Sequence, residues 1–294
     1  MPNYTLAVTN QVDDTSYVIN GAPLDTLAVI RGADTGEQQA PEWRDHDLEI
    51  PGAHGVFDYG SDISGQRRSF GPGTLPLSGT VLGVDPDTGL WDPAQSYSTY
   101  LQRVSELMRM FYARNLTIDA IRPDGTRRAV GHLIGSVMPT RTPGDPWFGR
   151  WQVSIRIPGA FWADTTTTTV SATVTTGTAI PLDDLATGEA PIGDAVVTFG
   201  AGNNPSLIQG GMFLAWDGVI TSGRQLTVDA ATGELGTGAG SSWTPDTAGL
   251  RCNPGPAWFE IDPTASPYVT LTHTTGDGAQ MYVAITGRRK FLTS

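Results

Sequence analysis

The chain has 294 residues and a formal net charge of −12, with Lys290 as its single lysine. Nucleic acid is therefore disfavoured as a ligand, because phosphate binding requires clustered Lys and Arg. Charged residues make up only 16%, with 36 Gly and 21 Pro, a composition typical of short strands joined by turns and unlike that of coiled coils or disordered chains. The lone Cys252 excludes an internal disulfide, no apolar run is long enough to span a membrane, and the start at Met1 lacks a signal segment. We expect a β-rich protein, large enough for two domains and folded in the cytoplasm.

The first strand is predicted at residues 4–8, where apolar and polar side chains alternate, and the second at the apolar run of residues 17–19. Asn20 and Gly21 follow directly, and this dipeptide is the strongest short-range signal for a β-hairpin. The next apolar run is at residues 27–30. The pattern predicts that the second and third strands meet around this turn.

One amphipathic helix is predicted, over residues 93–114, in a sequence otherwise punctuated for strands. Pro93 supplies the fixed φ that suits a first helical position. Apolar side chains recur at helical spacing and are expected to pack on a sheet: Tyr97, Tyr100, Leu101, Val104, Leu107, Met108 and Phe111. The polar side chains expected on the opposite face are those of Gln102, Arg103, Glu106 and Arg109.

A second hairpin is predicted after the helix. Residues 116–121 and 127–134 read as strands, and Arg122, Pro123, Asp124 and Gly125 supply turn residues between them. The next strand is predicted over residues 151–157, before the domain boundary, because apolar and polar residues alternate there.

The domain boundary is predicted at a run of five threonines, residues 165–169, where the composition changes abruptly. The run is interpreted equally well as a strand entrance or as a linker. Short strands then recur at nearly regular turn spacing up to the C-terminal end, which predicts a β-sandwich. The expected domains are residues 1–163, containing the helix, and residues 164–294.

No residue pattern predicts catalysis or a cofactor. His46, His54, His132 and His273 lie far apart, with no pair at metal-ligand spacing. The Gly-rich insert at residues 236–249 does not open a helix after a strand, so we interpret it as a loop rather than a nucleotide cradle. We expect no metal and no enzymatic activity, and glycoside hydrolysis by a carboxylate pair such as Asp183 and Asp184 ranks third among the functions considered.

Three tryptophans in the second half, Trp216, Trp243 and Trp258, are candidates for stacking on sugar rings. Large aromatic side chains in a small sandwich more often belong to the core, and both interpretations stay open. A carbohydrate-binding module is therefore the alternative function.

Several short segments, in this order along the chain, are similar to those of one known family. They are residues 50–55 (Ile-Pro-Gly-Ala-His-Gly), 155–163, 190–193, 223–229 and the basic and aromatic cluster within 285–292. On these segments the chain resembles the distal tail protein family of long-tailed (siphovirus-type) bacteriophages. The resemblance spans nearly the whole chain, and the order of the segments carries more weight than any one of them.

The resemblance implies a mainly β fold: an N-terminal β-sandwich domain with one packed α-helix, followed by a C-terminal galectin-like β-sandwich. It implies a structural virion protein that forms a hexameric ring at the distal tail tip and connects the tail tube to the host-recognition apparatus. The implied partners are the tail tube protein, the tape measure protein and tail-tip hub proteins, with host surface glycan as a further possibility. DNA would pass through the ring without specific binding, which an acidic wall favours by repelling phosphates.

Ring formation is assigned to residues 1–163, because this half carries 13 of the 18 basic and 18 of the 30 acidic residues and so offers both signs for complementary contacts. A head-to-tail ring needs two different complementary patches on each subunit. The candidate interface joins Asp45 and Asp47, from the long polar loop over residues 32–47, to Arg67 and Arg68.

Overall fold

The computed structural model describes residues 5–10, 15–19, 29–31, 47–49, 56–58, 72–83, 92, 94–112, 115–137, 139–142, 145–237, 243–253 and 259–292. These residues are mainly β with one α-helix, as the composition predicts. They divide into two compact units. Unit 1 comprises the described residues up to Thr165, apart from 47–49 and 56–58, together with Leu292. Unit 2 comprises 47–49, 56–58 and the described residues from Thr166 to Phe291.

Unit 1 consists of antiparallel strands and the helix. Its elements are β1 (Thr5–Asn10), β2 (Thr15–Ile19), β3 (Val29–Arg31), β6 (Gly73–Leu82), α1 (Ser96–Phe111), β7 (Leu116–Arg122), β8 (Gly125–Ile134), β9 (Thr140–Thr142), β10 (Asp145–Ile157) and β11 (Trp162–Asp164). The strands form one connected sheet in the order β2-β1-β7-β8-β10-β6-β3, with β9 beside β10 and β11 beside β8.

The hairpin predicted after the helix is confirmed. β7 pairs with β8 from Leu116 opposite Gly131 to Arg122 opposite Gly125. Pro123 and Asp124 form the turn, and Gly125 has a φ of 137°, a backbone conformation that residues with a Cβ rarely adopt.

The hairpin predicted at Asn20 and Gly21 is wrong for the strands that the structure describes. β2 pairs with the strand before it, β1, and β3 pairs with β6, which follows about fifty residues later in the sequence. The turn signal itself lies outside the described residues.

Helix α1 is confirmed, but it is shorter than the predicted 93–114. Asp92 begins the turn before it: its Oδ1 accepts a hydrogen bond from the Ala94 N–H at 2.8 Å, and its carbonyl accepts one from Ser96. The helix contacts β10, β6 and β1. At its end, the ring of Phe111 lies 5.5 Å from that of Trp151 on β10.

The buried face of α1 is rotated from the predicted one. Tyr100, Leu107 and Phe111 are buried as expected, but Tyr97 and Leu101 are 45% and 47% exposed. The other members of the buried face are Ser96, Arg103 and Met110. The apolar residues cover a wider arc of the helix than the sheet can contact, so the predicted stripe is only partly buried.

Arg103, predicted to face solvent, is 3% exposed. Its Nη1 donates a hydrogen bond of 2.6 Å to the carbonyl of Leu82, the last residue of β6. Arginine tolerates this position because its aliphatic stem packs like an apolar side chain while the guanidinium reaches a polar partner.

Unit 2 consists of short strands and two 3-10 helices. They are β4 (Asp47–Glu49), β5 (Val56–Asp58), β12 (Thr168–Thr175), β13 (Thr178–Pro181), η1 (Asp183–Thr187), β14 (Val196–Phe199), β15 (Gly202–Asn203), β16 (Ser206–Gln209), β17 (Met212–Trp216), β18 (Val219–Ile220), β19 (Leu226–Asp229), β20 (Leu235–Thr237), η2 (Thr247–Gly249), β21 (Leu250–Asn253), β22 (Tyr268–Thr272), β23 (Gln280–Gly287) and β24 (Lys290–Phe291).

Two antiparallel sheets dominate unit 2, in the orders β12-β23-β14-β19-β20 and β13-β22-β16-β17-β21. Buried side chains from both belong to one apolar cluster, including Phe199 and Val283 from the first sheet and Leu207 and Leu271 from the second. The sheets therefore enclose a common core, as in a β-sandwich. β15 pairs with β18, and β4 with β5. None of the described residues forms a helix long and apolar enough to cross a bilayer.

Two sets of polar contacts hold loops against this sandwich. Gln209, at the end of β16, is buried: its Nε2 donates to the carbonyls of Asp262 and Ser266, at 3.0 and 2.8 Å, and its Oε1 accepts from the Asp262 N–H at 2.7 Å. The ammonium of Lys290 on β24 lies 2.9 Å from a carboxylate oxygen of Asp194, and only 17% of the lysine side chain is exposed.

Candidate functional site

Trp216 and Trp243, two of the three predicted sugar-stacking residues, are in contact. Their ring centroids are 5.6 Å apart with the planes nearly perpendicular. Trp216 ends β17, is 4% exposed, and donates its indole N–H to the carbonyl of Asp246 at 3.1 Å. The backbone at Gly218 and Gly249 packs directly against the Trp216 ring. A Cβ added at Gly218 would collide with the ring, and one added at Gly249 would lie 2.9 Å from Nε1. Trp216 is thus enclosed by its neighbours.

Trp243 is only partly buried. The guanidinium carbon of Arg224 lies 5.9 Å from its ring centroid, within the range of a cation–π contact. Next to Trp216 in sequence, Asp217 forms an exposed ion pair with Arg251 on β21. The third predicted residue, Trp258, lies outside the described residues. The part of this surface that can be described therefore combines one partly buried tryptophan with charged and hydrogen-bonding groups.

A second surface is the face of the unit 1 sheet that carries the exposed, even-numbered residues of β10. Trp151 and Val153 are buried, whereas Arg150 and Arg156 are exposed and have no ion-pair partner among the described residues. On the same face Arg128 of β8 makes a bidentate pair with Asp119 of β7, at 2.7 and 2.8 Å. This cationic row was not singled out from the sequence, although the alternation along β10 reveals it.

The third surface is the exposed side of α1, which carries Tyr97, Leu101 and, just past its end, Tyr112. The guanidinium carbon of Arg141 lies 5.4 Å from the ring centroid of Tyr97. Beside them, burial raises the pKa of the Tyr100 phenol above its ordinary value, even though the charge of Arg141 acts to lower it. The Tyr100 hydroxyl is therefore neutral near pH 7.

The predicted subunit interface cannot be located on these surfaces. Asp45, Arg67 and Arg68 lie outside the described residues, and of Asp47 only the backbone, in β4, is described. The pairing of Asp45 and Asp47 with Arg67 and Arg68 stays a prediction.

No group of three or more His, Cys, Asp or Glu side chains within the described ranges is arranged to hold a metal ion. His46 and His54 lie outside those ranges. His273 is buried in unit 2, and neither of its ring nitrogens has a hydrogen-bond partner among the described residues.

Cys252 gives a testable pH dependence. Burial raises the pKa of its thiol from 9.0 to about 11, so the folded state favours the neutral form. The contribution of the neutral Cys252 thiol to folding stability is complete below pH 9 and is lost as the pH rises towards 11. Because the thiolate is the nucleophile, we expect iodoacetamide at pH 8 to alkylate the folded protein at least about tenfold more slowly than the urea-unfolded chain. Mass spectrometry of timed samples would measure both rates, and equal rates would contradict the assignment.

Comparison with known proteins gives a structural likeness only: no protein family and no curated protein sequence matches the chain. Among solved structures, the Dit (gp 19.1) protein of phage SPP1 is similar over 97% of this chain and 98% of that chain, with a TM-score of 0.50 and 13% sequence identity. The chain shares the fold of this phage protein. The SPP1 protein is described as a paradigm of the hub adsorption apparatus in phages that infect Gram-positive bacteria.

Two further structural neighbours are structures of the phage P2 baseplate in its activated conformation, one with Ca and one with Sr. They cover 97% of this chain and 98% of theirs, with TM-scores of 0.38 and 0.37 and identities of 8% and 7%. Both scores are too low for these likenesses to bear on the fold. The structural neighbours are thus phage hub and baseplate proteins.

Proposed function

We propose that this chain is a structural protein of a phage virion, which forms a hexameric ring at the distal end of the tail tube and joins the tube to the host-recognition tip. The observation that carries the proposal is the likeness to the SPP1 Dit protein, because it extends over nearly the full length of both chains and includes both units. The short sequence segments that resemble distal tail proteins support the same assignment independently of the structure.

In this proposal residues 1–163 form the ring, and residues 164–294 are an attached galectin-like module. The partners are the tail tube protein, the tape measure protein and hub proteins of the tail tip. DNA passes through the ring without specific binding, which agrees with a net charge of −12. The function requires neither catalytic residues nor a cofactor.

The proposal is tested by the size and shape of the purified full-length protein. Size-exclusion chromatography with light scattering should give a species of six times the 31.2 kDa chain mass, and negative-stain electron microscopy should show rings with a central opening. A protein that stays monomeric at high concentration would contradict the ring.

The proposed interface has its own test. Exchanging Arg67 and Arg68 for Glu should weaken assembly, and more so at low salt than at high salt, because salt screens exposed charges. Arg150→Glu with Arg156→Glu is the matched control, since it reverses two exposed arginines elsewhere in the same half of the chain. Equal weakening by both pairs would remove the specific role of Arg67 and Arg68.

A carbohydrate-binding module is the alternative function, and the partly accessible Trp243 beside Arg224 favours it. Sugar rings stack on such tryptophans, and a guanidinium donates hydrogen bonds to their hydroxyls. A glycan array should then show saturable binding that Trp243→Ala abolishes. A monomer that binds glycans in this way would replace the ring as the leading function.

A further inference from the structure

Strand β12 has an open edge. It lies at the end of its sheet and pairs with one strand among the described residues, β23, in a register that places Val170 opposite Ile285. In an antiparallel pair, alternate residues direct their backbone N–H and C=O groups away from the partner strand. Within the described chain, no backbone group receives these outward hydrogen bonds from β12. One side of this eight-residue strand is therefore unpaired within the described residues.

The burial pattern of β12 agrees with an open edge. Thr169, Ser171 and Thr173 are exposed on the outer face. Ala172 and Val174 face the core but are only partly buried, unlike the apolar residues of the interior strands. The inner face of β12 is therefore partly accessible at this edge.

The other edge strands of the two sheets are protected in ways that β12 is not. β20 has three residues, β13 has four and ends in Pro181, and β21 has four and carries Arg251. Short length, proline and charge are the devices by which natural sheets prevent unwanted pairing. β12 has none of these three devices, since it is the longest of the four and contains neither a charged residue nor proline, and the 3-10 helix of residues 183–187 contacts it from outside its sheet.

The charge near this edge indicates what kind of strand fits it. The 3-10 helix η1 contacts β12, and its Asp183 and Asp184 are exposed without ion-pair partners among the described residues. The sequence has no Lys or Arg between Arg156 and Arg224. A second copy of β12 would therefore bring further carboxylates towards these two, which disfavours pairing between identical edges.

We propose that the free edge of β12 binds an extended segment of a different protein as an added strand, and that a Lys or Arg next to this segment contacts Asp183 and Asp184. Main-chain hydrogen bonds hold the added strand, and the carboxylates select for basic flanks. The inference is independent of the proposed ring, because it concerns one strand of unit 2 and not the number of subunits.

Synthetic peptides test this with the full-length protein. The probe is a fluorescein-labelled peptide of alternating Thr and Val with Lys at both ends, titrated by fluorescence anisotropy. We expect saturable binding, and about fivefold weaker binding of the same peptide with Glu at both ends. A peptide methylated on consecutive backbone nitrogens cannot donate hydrogen bonds on either side, so we expect it not to bind. Equal binding of the methylated and unmethylated peptides, or no binding of either, would overturn the proposal.

Three variants locate the binding. Ala172→Lys places an inward-pointing charge on the edge and should abolish peptide binding, while Ala231→Lys makes the same change in an exposed turn and should leave it intact. Asp183→Asn with Asp184→Asn should retain binding but remove the preference for Lys flanks. Thermal melts check that each variant folds, and the methylated-peptide comparison needs no variant. Binding unaffected by Ala172→Lys, or an assembly of the wild type that this variant alone reduces in size, would contradict the proposal, the latter by assigning the edge to a second copy.

Discussion

Leu107→Asp is expected to unfold unit 1. Leu107 is completely buried on the side of α1 that contacts β10, β6 and β1. The change removes about 2 kcal/mol of apolar burial and leaves an unpaired charge in the core, which costs several kcal/mol more. The sum is comparable to the whole stability of a typical domain, about 5–15 kcal/mol. Near-ultraviolet circular dichroism and a thermal melt would measure the loss of packing.

Leu101→Asp is the matched control, because the same change is made on the same helix six residues away. Leu101 is 47% exposed, so the carboxylate can stay in water and the cost should be about 0.5 kcal/mol or less. If residues 1–163 form the ring, the Leu107 variant should also lose assembly. Similar melting of the two variants would show that the two leucines do not lie on different faces of α1.

Gln209→Leu should destabilise unit 2 by about 3–5 kcal/mol. Leucine has a similar size, but it leaves the Asp262 N–H and the Ser266 carbonyl without the hydrogen bonds that the buried Gln209 provides. The Asp262 carbonyl still accepts from the N–H groups of Ala265 and Ser266. Each buried group that loses its partner costs about 1–3 kcal/mol. Urea unfolding followed by tryptophan fluorescence would report the change in the midpoint.

Gln280→Leu provides the comparison for Gln209. Gln280 begins β23 in the same unit and is exposed, so its loss should change stability by about 0.5 kcal/mol or less. Gln209→Glu keeps the acceptor for the Asp262 N–H but removes both donors, and should be as damaging as leucine because a carboxylate would then face two carbonyls. Unfolding midpoints of the Gln209 variants close to that of Gln280→Leu would rule out the bonds as a major source of stability.

Helix α1 shows what the spacing of apolar residues can predict and what it cannot. Spacing correctly predicts that residues near Leu107 form one amphipathic helix, because the period of 3.6 is a local property. It cannot state which part of a wide apolar arc meets the sheet. Arg103 lies within the buried arc because the Leu82 carbonyl is there to accept its hydrogen bond, and that carbonyl comes from a strand 21 residues earlier.

Among the strands, pairing between sequence neighbours can be predicted, whereas pairing between distant segments cannot. The hairpin of β7 and β8 can be predicted from the sequence because the turn residues Pro123 and Asp124, followed by Gly125, lie directly between the two strands. The pairing of β3 with β6 cannot be predicted from the sequence, because no short-range signal specifies a partner so far along the chain. The sequence likewise identifies Trp216 as a large aromatic residue, but its burial depends on the close approach of Gly218 and Gly249.

The contact between Lys290 and Asp194 decides how this protein can be labelled. Lys290 supplies the only ε-amino group of the chain, and it is mostly covered and held against a carboxylate. Amine-reactive cross-linkers would therefore capture few neighbours of this protein in any assembly, whereas reagents directed at its 30 Asp and Glu residues have many targets. Replacing Lys290 with Arg would keep the ion pair and give a lysine-free chain. With the α-amino group blocked, a lysine introduced at one chosen surface position would then carry one dye per subunit, and stepwise photobleaching would count the subunits in a single assembly.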